Sequence, residues 1–70
     1  MTRERVSSSI IRSVGYDPDN RILEIELRRG GIYQYFQVPA EPYRSLVEAE
    51  SIGRHYTKFI KPVYQFRKVK

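Results

Sequence analysis

Residues 22–28 read Ile-Leu-Glu-Ile-Glu-Leu-Arg, and this stretch carries the clearest fold signal in the chain. Strict alternation places Leu23, Ile25 and Leu27 on one face of a strand and charged side chains on the other. A strand of this kind turns one face to a core and the other to water. The stretch therefore predicts one strand of an antiparallel sheet that is covered on a single side.

The residues that follow predict a hairpin. Arg29-Gly30-Gly31 supplies glycines that tolerate positive φ, and residues 32–38 return as the next strand. A two-residue Gly-Gly turn would place Tyr33 and Tyr35 opposite the charged row, exposed as a platform for stacking. A three-residue loop that includes Arg29 would place both rings opposite the aliphatic row. We favour the second register because it buries two large rings, and we expect positive φ at one or both glycines.

Upstream, the apolar run Ile10, Ile11, Val14 and Tyr16 predicts a first strand over residues 9–16, with a bulge at Gly15. Asp17-Pro18-Asp19-Asn20 then has the composition of a turn, with side chains that accept hydrogen bonds from the backbone. Strands one and two are therefore predicted to form a second hairpin.

Downstream, Pro39 and the residues after it predict a helix over residues 41–50. Ser51 is suited to cap a second, shorter helix that Pro62 ends. Residues 63–66 could add a short fourth strand. The predicted fold is α+β, with a three-stranded antiparallel meander packed against one helix and completed by the second. The expected core comprises Leu23, Ile25, Leu27, Leu46, Val47, Ile52, Phe59 and Ile60.

Length and composition predict one domain. The 70 residues include no cysteine, which excludes disulfides and thiolate metal sites and suits a reducing cytoplasm. Residues 7–9 are serines where a secretory signal needs an apolar run, and no apolar run has the length of a membrane span. We expect a cytoplasmic protein without a cofactor, with residues 1–7 and 67–70 as candidates for flexibility.

The charges are segregated along the chain. Residues 1–50 carry seven Lys or Arg and eight Asp or Glu, whereas residues 51–70 carry six Lys or Arg and no acid. The net charge of +5 therefore belongs to the last twenty residues. Cations interleaved with aromatic rings suit a polyanion, with RNA favoured over DNA, because the charges contact phosphates and the rings stack on bases.

These patterns select the candidate binding residues. We predict that nucleic acid contacts the cationic and polar side chains of Arg28, Arg29, Arg54, His55, Lys58, Lys61, Arg67 and Lys68. Candidate stacking rings are Tyr33, Tyr35 and Tyr64, although core packing is the favoured role of the first two. The alternative for the cations is a solvated helix face and tail that keep a small protein soluble.

Catalytic and metal chemistry find little support in the sequence. His55 is the single histidine, and without cysteines or a second histidine it does not predict a zinc site. It also lacks a neighbouring nucleophile and an orienting carboxylate. Ser7, Ser8 and Ser9 are better suited to capping backbone groups than to nucleophilic attack. The sequence therefore disfavours an enzyme.

The motifs in order resemble the KTSC domain, a family named for its place at the C-terminus of some lysyl-tRNA synthetases. The resemblance rests on Val6-x-Ser8, Val14-Gly15-Tyr16-Asp17, Leu23-x-Ile25-x-Leu27-x-x-Gly30, Tyr33-x-Tyr35-x-x-Val38-Pro39, Tyr43-x-x-Leu46-x-x-Ala49-x-Ser51-x-Gly53 and Ile60-Lys61-x-x-Tyr64. The family also occurs as a stand-alone small bacterial protein and has no established activity, and its company with a synthetase is the ground for expecting RNA, tRNA included, as a partner. A protein partner is the rival expectation, bound at a sheet edge or near Tyr43, Val63 and Tyr64.

Overall fold

A computed structural model describes residues 2–70. The strands, in chain order, are β1 Arg3–Arg5, β2 Ile11–Asp17, β3 Ile22–Leu27, β4 Ile32–Tyr35 and β5 Phe66–Lys68. The helices are α1 Ala40–Val47 and α2 Ile52–His55, and a π-helical segment, Tyr56–Ile60, follows α2 directly. The strands form one antiparallel sheet in the order β1-β2-β3-β4-β5. The α+β fold is confirmed, with two strands more than the predicted three.

The first additional strand is β1, which reads Arg-Glu-Arg and has no apolar alternation that would predict it. It pairs with β2 through the backbone. Arg3 Nη1 also lies 2.5 Å from Glu24 Oε2, and Arg3 Nε donates to Ser13 Oγ at 3.0 Å. Polar contacts across the sheet surface thus add to the backbone pairing of an edge strand that contributes little to the core.

The second additional strand is β5, which begins at Phe66 instead of lying at residues 63–66. Phe66 is opposite Tyr35, Arg67 opposite Gln34 and Lys68 opposite Tyr33. Of the two segments that we expected to be candidates for flexibility, residues 1–7 contain β1 and residues 67–70 contain two of the three residues of β5, while Met1 lies outside the described residues.

The predicted hairpin register is confirmed. Tyr35 lies opposite Leu23 and Tyr33 opposite Ile25, joined by a three-residue loop of residues 28–30. The Leu27 N–H donates to the Gly31 carbonyl at 3.0 Å, and φ is 108° at Gly30 and 99° at Gly31. Glycine suits both positions because a side chain is strained at such φ values.

The bulge in β2 lies at Arg12, between Ile11 and Ser13, so its prediction at Gly15 is wrong. Gly15 instead sits in regular register opposite Arg3. A Cβ at Gly15 would come within 2.8 Å of both the Thr2 carbonyl oxygen and Arg3 Cγ. The glycine is therefore required because β1 passes close over it.

The predicted turn after β2 is confirmed. Asp17 Oδ1 accepts hydrogen bonds from the backbone N–H groups of Asp19 and Asn20, at 3.1 and 3.3 Å. The Asn20 side chain donates to Asp17 Oδ2 at 2.8 Å. This side-chain bond is the main reason that the pKa of the Asp17 carboxyl lies below its ordinary value.

The helices differ from their predicted lengths at two places. α1 ends at Val47, not at Glu50, because the Ala49 N–H turns back to the Leu46 carbonyl in a tighter, 3₁₀-type bond of 3.2 Å. Ser51 caps α2 as expected, accepting from the Arg54 N–H at 3.3 Å. The segment after α2 widens into a π-helix, in which the Lys61 N–H reaches the Tyr56 carbonyl at 2.9 Å.

The core lies between the sheet and the helices. Its buried hydrophobic members are Ile11, Val14, Leu23, Ile25, Leu27, Tyr35, Val38, Leu46, Tyr56 and Ile60. Of the eight predicted core residues, Val47 and Ile52 are half-buried, and Phe59 is 50% exposed. The burial of Phe59 is therefore a wrong prediction. A π-helical turn takes more residues than an α-helical turn, so Tyr56 and Ile60 face the core and Phe59 rotates away from it.

Candidate nucleic-acid interface

The helix that begins at Ser51 presents its cations to solvent. Arg54, Lys58 and Lys61 are all exposed, while Gly53, Tyr56 and Ile60 of the same helical run are buried against the rest of the domain. No acidic residue occurs in the sequence after Glu50. This side of the molecule therefore carries positive charge with no carboxylate on its own helix to offset it.

Phe59 supplies an accessible ring in the middle of these charges. Its centroid lies 4.8 Å from that of the His55 ring, at an interplanar angle of 46°. Lys58 Nζ is 5.5 Å from the Phe59 centroid, within the range of a cation–π contact. Arg54 borders the same depression, together with Lys58, His55 and Phe59, and the acidic Glu50 lines it as well. We call the surface formed by Arg54, His55, Lys58 and Phe59 the helical basic face.

Phe59 is one of the rings interleaved with the cations, but it was assigned to the core and not to the predicted binding residues. Three- and four-residue spacing groups Phe59 with Ile52 and Tyr56 on one face of an ideal α-helix, which predicts a core residue. The π-helical turn changes which of these residues share a face. No residue in the segment indicates a π-helical turn, so the exposure of Phe59 could not be predicted from the sequence.

Lys61 and Arg29 form a second group of cations. Both line a pocket between the β3–β4 loop and the π-helical segment, with Tyr56 among its other lining residues. Lys68 approaches the same loop, since its Cε is 3.5 Å from the position a Cβ would take at Gly31. The end of the sheet at this loop is thus a second region of positive charge.

Arg28 has a structural contact. Its Nε donates to the Ser8 carbonyl at 2.5 Å, and its backbone N–H donates to the Ile10 carbonyl at 2.9 Å. These bonds tie the loop to the chain that leads into β2. The guanidinium of Arg28 therefore serves to hold two segments together, in addition to contributing charge.

Arg67 lies apart from the helical basic face. Its register opposite Gln34 places it on the open face of the sheet, on the far side from the helices. Two carboxylates lie near other arginines of this face: Glu24 contacts Arg3, and Glu26 lies 4.0 Å from both Arg3 and Arg12. Of the predicted cations, Arg54 and Lys58 share the helical run, Lys61 follows its end and lines a pocket with Arg29, and Arg67 does not join them.

The predicted stacking tyrosines are mostly enclosed. Tyr35 is 1% exposed, and its hydroxyl lies 2.5 Å from the Tyr56 hydroxyl. Burial raises the pKa of both phenols above the ordinary value, so both are neutral near pH 7. Tyr33 is half-buried and meets the Phe66 ring edge-on at 5.7 Å, and Tyr64 is half-buried against the core. Tyr35 is therefore a core residue with no face for a base.

Two further observations concern metal binding and membrane-spanning helices in residues 2–70. No group of three or more histidine or carboxylate side chains within this range is arranged to hold a metal ion. No helix in the same range has both the length and the apolar character needed to cross a membrane.

The sequence model of the KTSC domain matches residues 7–64, which is most of the chain. The chain belongs to the KTSC domain family. The match extends from the serines before β2 to Tyr64, just before β5, and so includes the whole helical basic face.

Relatives and a solved structure agree with this assignment. The crystal structure of a KTSC domain protein from Yersinia pestis has a TM-score of 0.96 at 46% identity, covering 99% of this chain and 97% of that one. An uncharacterised protein of Stutzerimonas stutzeri is 47% identical over 89% of this KTSC chain and 87% of its own. A lysine–tRNA ligase of Nostoc punctiforme is 36% identical over 87% of this chain, which corresponds to 11% of the ligase.

Proposed function

We propose that this KTSC domain is an RNA-binding module that contacts single-stranded RNA through the helical basic face. The observation that carries the proposal is the exposed Phe59 ring, set among Arg54, His55 and Lys58 on a helix without acids. Aromatic faces accept any base by stacking, and adjacent cations contact the phosphates that connect those bases.

The roles of the individual side chains follow from their chemistry. Arg54 and Lys58 donate to phosphate oxygens, Phe59 stacks on a base, and His55, whose ring centroid is 4.8 Å from that of Phe59, offers a hydrogen-bond donor. RNA is favoured over duplex DNA because bases are accessible for stacking where a strand is unpaired. Contacts of this type carry little sequence information, so binding is expected to be general.

The occurrence of related sequence within lysine–tRNA ligases fits this function. In the Nostoc punctiforme relative the matched segment is a small part of a protein whose name specifies tRNA. A small basic module appended to such a protein would raise the local concentration of RNA near it. tRNA is accordingly the first natural RNA to examine for this chain.

A protein-interaction module is the second candidate. Val63 is 62% exposed and Phe66 is 53% exposed, and apolar side chains of this size on a small domain suit contact with a protein. Binding of that kind would depend little on ionic strength, whereas RNA binding through phosphates weakens steeply with salt.

The test is a titration of a labelled mixed-sequence oligoribonucleotide, followed by fluorescence anisotropy at two salt concentrations. For Arg54→Gln/Lys58→Gln we expect weaker binding to all sequences and a salt slope reduced by about 0.7 for each phosphate that the variant no longer neutralises. The matched control is Arg5→Gln/Arg67→Gln, which removes the same charge from the sheet and should bind like the parent. Equal losses of affinity in both variants, or no binding by the parent at low salt, would refute the proposal.

A further inference from the structure

A separate pocket lies between the β3–β4 loop and the π-helical segment. It has a volume of about 330 Å³ and is lined by apolar, hydroxyl and cationic side chains: Ser9, Ile10, Leu27, Arg29, Tyr56, Thr57 and Lys61. No carboxylate lines it. Its volume is at the lower end of the range for small-molecule sites, and two cations at one small concavity suit an anion with two charges.

The loop side of the pocket is held in place by specific bonds. Arg28 connects to the Ser8 and Ile10 carbonyls, so the loop that carries Arg29 is fixed against the segment that carries Ser9 and Ile10. On the helix side, the Thr57 hydroxyl donates to the Gly53 carbonyl at 2.9 Å, which leaves its oxygen as an acceptor only. The donors that remain to an anion are Arg29, Lys61, Ser9 and Tyr56.

Tyr56 adds a hydrogen-bond donor to the pocket. The Tyr35 and Tyr56 hydroxyls carry two hydrogens, and one of these is used between the two oxygens. Within residues 2–70 neither hydroxyl has a further acceptor, so the other hydrogen is unused by the protein. Burial raises the pKa of Tyr56 above its ordinary value, and the charge of Arg29 opposes that rise to a small extent. Tyr56 and Arg29 both line the pocket, and when Tyr35 donates to Tyr56 the hydroxyl hydrogen of Tyr56 remains for a ligand.

The position of the π-helix agrees with a binding role. π-helical turns are rare and occur frequently at functional sites. Here the π-helical segment begins at Tyr56 and is followed by Lys61, so it sets the positions of two of the four donors.

We propose that this pocket binds a phosphate monoester, with Arg29 and Lys61 neutralising the dianion and Tyr56 and Ser9 donating to its oxygens. Ile10 and Leu27 provide an apolar wall for the group that the phosphate is attached to. The ester is either a small phosphorylated metabolite or the terminal phosphate of a nucleic-acid strand. The site is distinct from the helical basic face and does not require that face to bind RNA.

The experiment is a titration of ¹⁵N-labelled protein with uridine 5′-monophosphate, followed by amide chemical shifts, with uridine as the ligand lacking phosphate. We expect saturable shifts at Arg29, Thr57 and Lys61 with the monophosphate and none with uridine. Arg29→Gln and Lys61→Gln should each weaken binding by about tenfold. Arg5→Gln/Arg67→Gln is the matched control, because it removes two charges outside both the pocket and the helical basic face, and its affinity should equal that of the parent.

The pH of the titration provides a second readout. The second pKa of a phosphate monoester is about 6, so binding should weaken when the pH is lowered through that value. The titratable and charged groups at the pocket are Arg29, Lys61 and Tyr56, and His55 lines the other depression. Loss of affinity at low pH in the parent and in His55→Gln alike assigns the effect to the ligand.

The outcome distinguishes this proposal from the proposed RNA function. Monophosphate binding without oligoribonucleotide binding would support the pocket and refute the RNA module. Oligoribonucleotide binding without monophosphate binding would support the RNA module and refute the pocket. Shifts at the pocket with a 5′-phosphorylated oligoribonucleotide, but not with its 5′-hydroxyl counterpart, would identify strand ends as one source of the ester. No saturable shifts at Arg29, Thr57 and Lys61, or equal losses of affinity in the control variant, would overturn the proposal.

Discussion

At the scale of single residues, Leu46 joins α1 to the sheet. It is the one residue of α1 that is fully buried, with 0% exposure, between exposed Ser45 and half-buried Val47. Leu46→Ala removes buried carbon and leaves a cavity, so we expect a loss of about 2–5 kcal/mol in the free energy of unfolding. Urea denaturation measures it. Ser45→Ala, on the exposed side, should change stability by about 0.5 kcal/mol or less, and equal midpoints for both variants would contradict the packing described.

The tyrosine pair makes stability depend on alkaline pH. Burial raises the pKa of both Tyr35 and Tyr56 above 10.0, their ordinary value. The unfolded chain therefore releases these protons at a lower pH than the folded domain does. Stability should be unaffected by the pair below about pH 10 and should fall above it, by up to about 1.4 kcal/mol per pH unit for each phenol. Tyr35→Phe and Tyr56→Phe should flatten that decline in pH-dependent denaturation, and a decline unchanged in both would contradict it. Tyr43→Phe, outside the pair, is the control.

At the scale of elements, alternation and spacing predicted what is buried. The pattern of Leu23, Ile25 and Leu27 was sufficient for β3, and the choice between two hairpin registers followed from the burial of Tyr33 and Tyr35. β1 could not be predicted in this way, because Arg3–Arg5 depends on contacts with Ser13 and Glu24 on other strands. The exposure of Phe59 escaped prediction for a related reason, since the widening to a π-helix depends on tertiary packing.

The close contact between β1 and Gly15 predicts the effect of a single methyl group. A Cβ at this position would lie 2.8 Å from the Thr2 carbonyl oxygen, which is backbone and cannot rotate aside. We therefore expect Gly15→Ala to displace β1 and to speed hydrogen exchange at its amides, with less effect on the β3–β4 pairing. Gly53→Ala is a useful comparison, because its nearest atoms, Ile10 Cδ1 and Ser8 Oγ at 3.0 Å, belong to side chains that can move. Unchanged exchange in β1 of the Gly15 variant would show that the strand tolerates the methyl group.

At the scale of the whole molecule, charge is divided between the two sides of the sheet. On the open face Glu24 and Glu26 lie within 4.0 Å of Arg3 and Arg12, whereas on the helix side Arg54 and Lys58 share a depression with Glu50, the last acidic residue of the sequence. The edge strands are three residues long and rich in Arg and Lys, features that discourage pairing with the edge of another sheet. These features argue against assembly through the sheet edges.

Substitution of Phe59 separates an effect on RNA affinity from an effect on stability. Because its ring is half-exposed, Phe59→Ala should cost much less stability than Leu46→Ala. Loss of base stacking should weaken oligoribonucleotide binding by about 1–3 kcal/mol. Val63→Ala, at a residue that is 62% exposed and outside the helical basic face, should leave binding unchanged. Anisotropy titrations of the two variants give the comparison, and equal affinities would remove Phe59 from the site.

The most direct test of the proposed RNA binding is amide chemical-shift mapping with a mixed-sequence single-stranded oligoribonucleotide at low ionic strength. We expect the largest shifts between Arg54 and Phe59, and we expect them to decrease as salt is added and to spare the open face of the sheet. Largest shifts on that open face, at Arg3–Arg5 and Ile22–Leu27, or no shifts in any part of the chain at low salt, would contradict RNA binding through the helical basic face.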